Sequence, residues 1–263
     1  MSYETILFDI ADEVATITFN RAASLNSLSR KLIDETASAV KATPGTGARA
    51  LILTGAGRGF SSGADLTEGG ALRGSPEGPD LGAALEERYN PLVKALVELP
   101  MPTIAAVNGI AAGAGMSLAL TCDIVLAARS AEFLQAFSRI GLIPDAGSTW
   151  FLPRLVGAAR ARGLALLGDK LPAETAAQWG LVWAVIDDDK LQDEARSMAK
   201  RLAAGPTKGL SLIKRALAAS SGNDLSAQLD LERDLQKIAG RTADFAEGVT
   251  AFLQKRPAKF KGK

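Results

Sequence analysis

The sequence predicts an α/β fold of repeated strand-strand-helix units, followed by a helical C-terminal region. Three observations lead there. Strand-like and helix-like stretches alternate over the first two-thirds of the 263 residues, the pattern of an α/β architecture. Two small-residue turns, Phe60-Ser61-Ser62-Gly63-Ala64-Asp65-Leu66 and Asn108-Gly109-Ile110-Ala111-Ala112-Gly113-Ala114-Gly115-Met116-Ser117, each follow a strand-like apolar run. Beyond about residue 157 the pattern is almost entirely helical. No linker of the length or composition found between independent domains interrupts the chain. The division expected is a core over 1–200 and a helical region over 201–263, packed on the core and on neighbouring subunits.

The elements follow in order. Residues 3–9 and 13–20 read as two strands around a short polar turn; in the second, Ala15, Ile17 and Phe19 alternate with Thr16 and Thr18, the period of a half-buried strand. A helix follows Ser29, with Ile33, Ala37 and Val40 on one face, and Pro44-Gly45 ends it. The next strand covers 49–54. Residues 67–80, rich in Gly, Pro and charge, are either a mobile loop or an ordinary surface connection. A helix over about 81–99, a strand at 103–107, the second turn, a helix at 114–121 and a strand at 123–128 come next. Helices are then expected at 157–167, 173–179, 189–204, 206–220, 224–239 and 242–254, with one short strand near 181–186. The charges of Asp230, Glu232, Arg233 and Asp234 mark a solvated face. The apolar Leu225, Leu229, Leu231 and Leu235 pack either against the core or against a second subunit.

Composition removes several classes of function. A net charge of +1 and 5% aromatic residues argue against nucleic-acid binding. There is no histidine, which excludes Ser-His-Asp and Cys-His nucleophile systems and any metal site built on imidazole. The single cysteine, Cys122, leaves no intrachain disulfide and no Cys-rich zinc site. It reads as a small buried filler rather than a nucleophile. The uncharged run from Leu99 to Cys122 is long enough for a membrane span. Pro100, Pro102, Asn108 and three glycines interrupt it and Asp123 follows, so a buried strand-turn-helix is expected. With the polar, acidic opening Met1-Ser2-Tyr3-Glu4, the expectation is a soluble cytoplasmic protein.

The two turns carry the chemistry. Small residues let another group approach the backbone, and a helix that starts at such a turn has unpaired N–H groups. Brought together, two such turns could aim two N–H donors at one oxygen, the arrangement that stabilises an oxyanion.

The turns also occur in a specific order with Val107-Asn108-Gly109, Thr121-Cys122-Asp123-Ile124 and Gly141-Leu142-Ile143-Pro144. This set resembles the crotonase (enoyl-CoA hydratase/isomerase) superfamily over nearly the whole chain. The resemblance implies a crotonase-like spiral of strand-strand-helix units, an acyl-CoA thioester as substrate, and a homotrimer or dimer of trimers. It implies that the N–H groups of Ala64 and Ala114 hold the thioester carbonyl oxygen. Ala64, Asp65, Leu66 and Thr67 match the strip along the acyl-pantetheine arm, and Phe252 and Lys255 match positions that touch the CoA adenine and phosphate, often from a neighbouring subunit. Asp65 itself reads as a loop hydrogen-bonder rather than an acid. Lys259, Lys261 and Lys263 read as a solvated end. Coenzyme A would arrive as part of the substrate, with no cofactor held permanently and no metal.

Departures from the family pattern narrow the chemistry. The two glutamates that activate water in enoyl-CoA hydratases fall on Ser117 and Phe137, neither of them acidic. One carboxylate is well placed. Asp145, before the run Ser148-Thr149-Trp150-Phe151-Leu152, reads locally as an N-cap or first-turn residue. The resemblance makes it the acid–base group facing the oxyanion site, as in several isomerases of the family. A helix N-terminus would lower its pKa and apolar burial would raise it. The stretches Ala136 to Arg154, Leu164 to Gly168, Leu229 to Asp234 and Glu247-Gly248-Val249 resemble the family's ring-1,2-epoxyphenylacetyl-CoA isomerases of phenylacetate degradation. The expected reaction is an enolate-stabilised proton shift. It converts 2-(1,2-epoxy-1,2-dihydrophenyl)acetyl-CoA to oxepin-CoA, or a 3-enoyl-CoA to the 2-enoyl-CoA. The alternatives are an enoyl-CoA hydratase with atypical residues and a non-catalytic acyl-CoA-binding subunit.

Overall fold

In the computed structural model, which describes residues 3–67 and 80–263, the chain opens with a hairpin. β1 (Ile6–Ala11) runs antiparallel to β2 (Val14–Phe19), and Asp12 and Glu13 between them both take positive φ. Two successive left-handed residues give the turn whose twist suits a hairpin. Ala15, Ile17 and Phe19 face the core, as their alternation predicts. The hydroxyl of Ser29 caps α1 (Arg30–Ala42) by accepting from the Leu32 N–H at 3.1 Å. A 3-10 turn over Thr43–Thr46, containing Pro44, ends that helix.

Three successive units then build the centre. The first is β3 (Ala50–Gly55), β4 (Gly59–Ser61), α2 (Leu81–Ala84) and α3 (Asn90–Glu98). The second is β5 (Thr103–Val107), β6 (Ile110–Ala112) and α4 (Ala114–Leu120). The third is β7 (Ile124–Ala128), β8 (Glu132–Leu134) and α5 (Ser148–Leu167). The first strand of each unit enters one sheet and the second strand enters another. The six-stranded sheet has the order β1-β2-β3-β5-β7-β10 and the four-stranded sheet the order β4-β6-β8-β9. β2, β3, β5, β7 and β10 are mutually parallel, as are β4, β6 and β8. β3 and β5 are buried along their whole length, so their sequences are apolar runs without alternation.

The chain finishes with β9 (Lys170–Pro172), α6 (Ala173–Gln178), β10 (Ala184–Ile186), α7 (Leu191–Ala203), α8 (Thr207–Ser220), α9 (Leu225–Ala239) and α10 (Ala243–Leu253). α7 packs across β2, β3, β5 and β7. Lys214 on α8 is anchored to the core by the Asp123 carboxylate at 2.7 Å and the Met101 carbonyl at 2.9 Å. Leu235 is buried and Leu231 half-buried, whereas Leu225 and Leu229 stand exposed in the single chain.

Three features differ from the sequence expectation. β4, β6 and β8 occupy segments without a readable period, because three residues are too few to show one. The helix expected over 81–99 contains a wide π-helical segment at Leu85–Tyr89, just before Pro91, which has no N–H to continue the ladder. The helix expected from 157 is the second limb of α5, which starts at Ser148 and breaks at Gly157 (φ 78°, ψ 160°). Of the loop expected over 67–80, residues 68–79 lie outside the described residues. Cys122 is buried, and burial pushes its thiol up to about 12. Among the described residues no helix is long and apolar enough to cross a membrane.

Candidate active site

The two small-residue turns meet because their short strands are neighbours. β4 and β6 pair in parallel, Gly59 opposite Ile110 and Ser61 opposite Ala111. Asn108 stitches the turns together. Its Oδ1 accepts from the Gly55 N–H at 3.2 Å and its Nδ2 donates to the Gly57 carbonyl at 2.9 Å. The buried Asn26 donates to the carbonyls of Ala56 (2.9 Å) and Gly59 (2.7 Å), holding the approach to β4. α4 rests directly on β4: a methyl group at Gly115 would lie 2.6 Å from the Ser61 Cβ.

Each turn ends in the same way. Gly63 has φ 92° and Gly113 has φ 50° with ψ −128°, conformations that a Cβ disfavours. They lie against each other, since a methyl at Gly63 would fall 3.6 Å from the Gly113 Cα. The residues that follow, Ala64 and Ala114, have no positive φ. The conformational demand therefore falls on the glycine before each alanine, and the alanine side chain is tolerated. The Leu28 N–H donates to the Gly63 carbonyl at 2.8 Å and the Asp65 N–H to the Leu28 carbonyl at 3.2 Å. That bridge uses the groups on either side of Ala64 and bypasses its own N–H. Ala114 is the first residue of α4, where an N–H has no intrahelical acceptor. Among the described residues neither the Ala64 nor the Ala114 N–H has an acceptor. Ala64 is exposed and Ala114 buried.

Two carboxylates flank this arrangement. Asp65 is fully engaged. Its Oδ2 accepts from Arg21 Nη1 (2.8 Å) and the Ser27 hydroxyl (3.0 Å), and its Oδ1 from the Thr67 hydroxyl (2.6 Å) and N–H (3.1 Å). The Thr67 hydroxyl bond first, with Arg21 and Ser27 adding to it, draws its pKa down to about 2 despite the opposing effect of burial. Asp145 is the opposite case. It is half-buried, its Oδ1 is buried without a partner, and burial alone raises its pKa to about 6. It is not the N-cap of α5, a position held by Gly147. Its main-chain carbonyl accepts from the Ser148 N–H at 2.9 Å and from the Ser117 hydroxyl at 3.0 Å. Ser117 lies one helical turn beyond Ala114, so Asp145 is placed beside the second turn.

The remaining sequence candidates separate into two places. Leu66 and Thr67 are exposed next to Ala64 and Asp65. Phe137 is buried, with its ring tip 3.7 Å from where a Cβ on Gly113 would stand, and forms an apolar wall there. Phe252 lies at the far end of the chain, 82% exposed, on an apolar cavity of about 450 Å³ shared with Phe245, Val249 and Phe260; no turn residue lines it. Lys255 follows it in a left-handed conformation (φ 52°). The side chains of Lys259, Lys261 and Lys263 are exposed, but this tail is not loose. The Lys259 N–H donates to Glu247 at 2.8 Å, and the Lys261 and Gly262 N–H groups donate to Asp244 at 2.6 and 2.8 Å.

Sequence reasoning missed one polar group here. Gln135, fully buried, donates through Nε2 to the Ser148 hydroxyl at 2.7 Å and to the Met116 sulfur at 3.2 Å. It ties α4 to the start of α5. The available signal was a glutamine inside the apolar stretch Phe133 to Phe137.

The family model "Enoyl-CoA hydratase/isomerase" matches residues 9–263. The chain is 52% identical over 261 residues, 99% of each chain, to the 1,2-epoxyphenylacetyl-CoA isomerase of Escherichia coli K12. It is 48% identical over 263 residues, 100% of each chain, to a Rhodobacter capsulatus protein described as a probable enoyl-CoA hydratase. Among solved structures, an enoyl-CoA hydratase from Bacillus anthracis superposes with a TM-score of 0.92 at 34% identity, covering 99% of this chain and 100% of that one.

Proposed function

This chain belongs to the enoyl-CoA hydratase/isomerase family, and from that premise we propose that it is an isomerase that shifts a proton within an acyl-CoA thioester. The observation that carries this reading is the Asp145 Oδ1, among the described residues the one buried carboxyl oxygen without a partner, placed beside the second turn where Ser117 and Phe137 supply no acid. The N–H groups of Ala64 and Ala114 hold the thioester oxygen as it gains negative charge. A missing donor of this kind costs about 3–4 kcal/mol of barrier. Asp145 takes the α-proton and returns it further along the conjugated system. Hydration would also need an activated water, and isomerisation does not.

The favoured substrate is 2-(1,2-epoxy-1,2-dihydrophenyl)acetyl-CoA, supported by the 52% identity to the Escherichia coli isomerase. The epoxide and its seven-membered oxepin are valence tautomers. Moving one proton from the side-chain α-carbon to the ring fixes the oxepin form, and atoms and charge balance without a co-reactant. The same step converts a 3-enoyl-CoA to its 2-enoyl isomer. Coenzyme A enters as part of the substrate, along Ala64 to Thr67. The exposed apolar residues of α8–α10, among them Leu217, Leu225, Leu229 and Phe252, support a homotrimer or dimer of trimers. In it Phe252 and Lys255 reach the nucleotide end of a neighbour's substrate.

The test supplies the epoxide thioester, a 3-enoyl-CoA and crotonyl-CoA separately. The expected order of kcat/KM places the epoxide first and the 3-enoyl-CoA second. Efficient hydration of crotonyl-CoA, followed by loss of its conjugated absorbance, would overturn the isomerase reading.

A further inference from the structure

Asp145 sits on a strained turn. Ala146, which carries a Cβ, has φ 49°, and Gly147 after it has φ 85°. A methyl at Gly147 would fall 2.8 Å from the Phe151 ring, so the turn is also packed from behind. Non-glycine residues persist in the left-handed region only where their surroundings hold them. The Asp145 side chain does not provide that hold, since its Oδ1 has no partner. The hold comes through the main chain, where the Asp145 carbonyl accepts from the Ser148 N–H at 2.9 Å and the Ser117 hydroxyl at 3.0 Å. Of the two donors Ser148 opens the helix that directly follows the turn, and only Ser117 comes from a distant element. It is fully buried on α4, with its own helix carbonyl at Gly113 as a second acceptor 3.3 Å away.

We infer that Ser117 is a positioning residue whose hydroxyl clamps the Asp145–Gly147 turn to the helix that begins at Ala114, fixing where the Asp145 carboxyl stands relative to the bound thioester. This rests on the isomerase reading for its catalytic consequence and on the structure alone for the clamp. Without the hydroxyl the strained turn relaxes, and the carboxyl moves toward solvent. α4 carries no charged residue, Arg139 before the turn is exposed, and among the described residues no charged side chain shifts Asp145. A change in its titration therefore reports a change in burial.

The test compares the full-length wild type with Ser117→Ala, Ala146→Gly and the double variant. Alanine suits a helix interior, so Ser117→Ala is expected to keep its fold. Its kcat should fall 10- to 100-fold, with KM for the epoxide thioester within threefold of wild type. The acid limb of kcat/KM should move down from about 6 toward the ordinary carboxylate range. Ala146→Gly, which removes the strain, should restore part of that loss in the double variant. An infrared titration of the protonated carboxyl, isolated as the difference between each protein and its Asp145→Asn partner, follows the same shift without turnover. If wild type turns over none of the thioesters, the isomerase reading falls and the infrared titration still decides the clamp. Ser117→Ala with kcat within twofold of wild type, or with an unmoved Asp145 titration, overturns the inference.

Discussion

Asp65 and Asp145 are the same residue type, each attached to one of the converging turns, and they have opposite chemistry. Asp65 accepts four hydrogen bonds and its pKa is drawn to about 2; Asp145 keeps a bare, buried oxygen and its pKa rises to about 6. Hydrogen bonding stabilises the charged form, and desolvation without it favours the neutral one. A carboxylate near a reactive centre is thus structural or reactive according to what its oxygens already hold. Asp65 spends its bonding capacity on the Arg21–Ser27 segment and Thr67, which holds the Ala64 turn. The Asp145 Oδ1 leaves its bonding capacity unused, which is what the proposed proton transfer requires.

The largest expected effect lies at Asp145. Asp145→Asn keeps the size and loses the base, so kcat should fall on the order of 10³-fold while binding of a CoA thioester, measured calorimetrically, stays within a few-fold of wild type. Near-normal turnover would erase the distinction between the two aspartates. Next comes Gly113→Ala. The added methyl meets the Phe137 ring at 3.7 Å and the Gly63 Cα at 4.0 Å, both ordinary contacts, so the cost is the backbone conformation that aims the Ala114 N–H. A loss of about 10²-fold in kcat is expected if that donor is misaligned, measured beside an unchanged circular dichroism spectrum.

The smallest effect on rate, and the clearest on stability, belongs to Asp65→Asn. Holding the Asp65 carboxyl pKa at about 2 instead of 3.8 corresponds to stability on the order of 2 kcal/mol, so the melting temperature at pH 7 should drop by about 5 °C with kcat within a few-fold of wild type. The sign follows from the lowered pKa. This contribution is fully present above the ordinary carboxylate value near 3.8 and is lost as pH falls toward 2. Asp145 runs the other way. Its ionised form is penalised by burial, a penalty absent below pH 3.8 and complete above about 6. Melting curves for Asp145→Asn should therefore gain on wild type as pH rises from 4 to 7. Parallel behaviour of both variants with pH would dissolve the comparison.

The sequence by itself determined the buried strands, whose apolar runs at 50–53 and 103–107 are legible without neighbours. It also determined the two turns, since Gly63 and Gly113 occupy conformations that few other residues accept, and the lack of imidazole chemistry. These features depend on local backbone preference and composition. Only the tertiary structure decided that the turns converge, because the three-residue strands β4 and β6 that bring them together are too short to carry a period. Only it decided that Gln135 and Ser117 tie α4 to the Asp145 turn, and that burial outweighs the helix start in setting the pKa of Asp145. Those outcomes depend on which atoms the fold removes from water and which partners it returns, and residues far apart along the chain supply both.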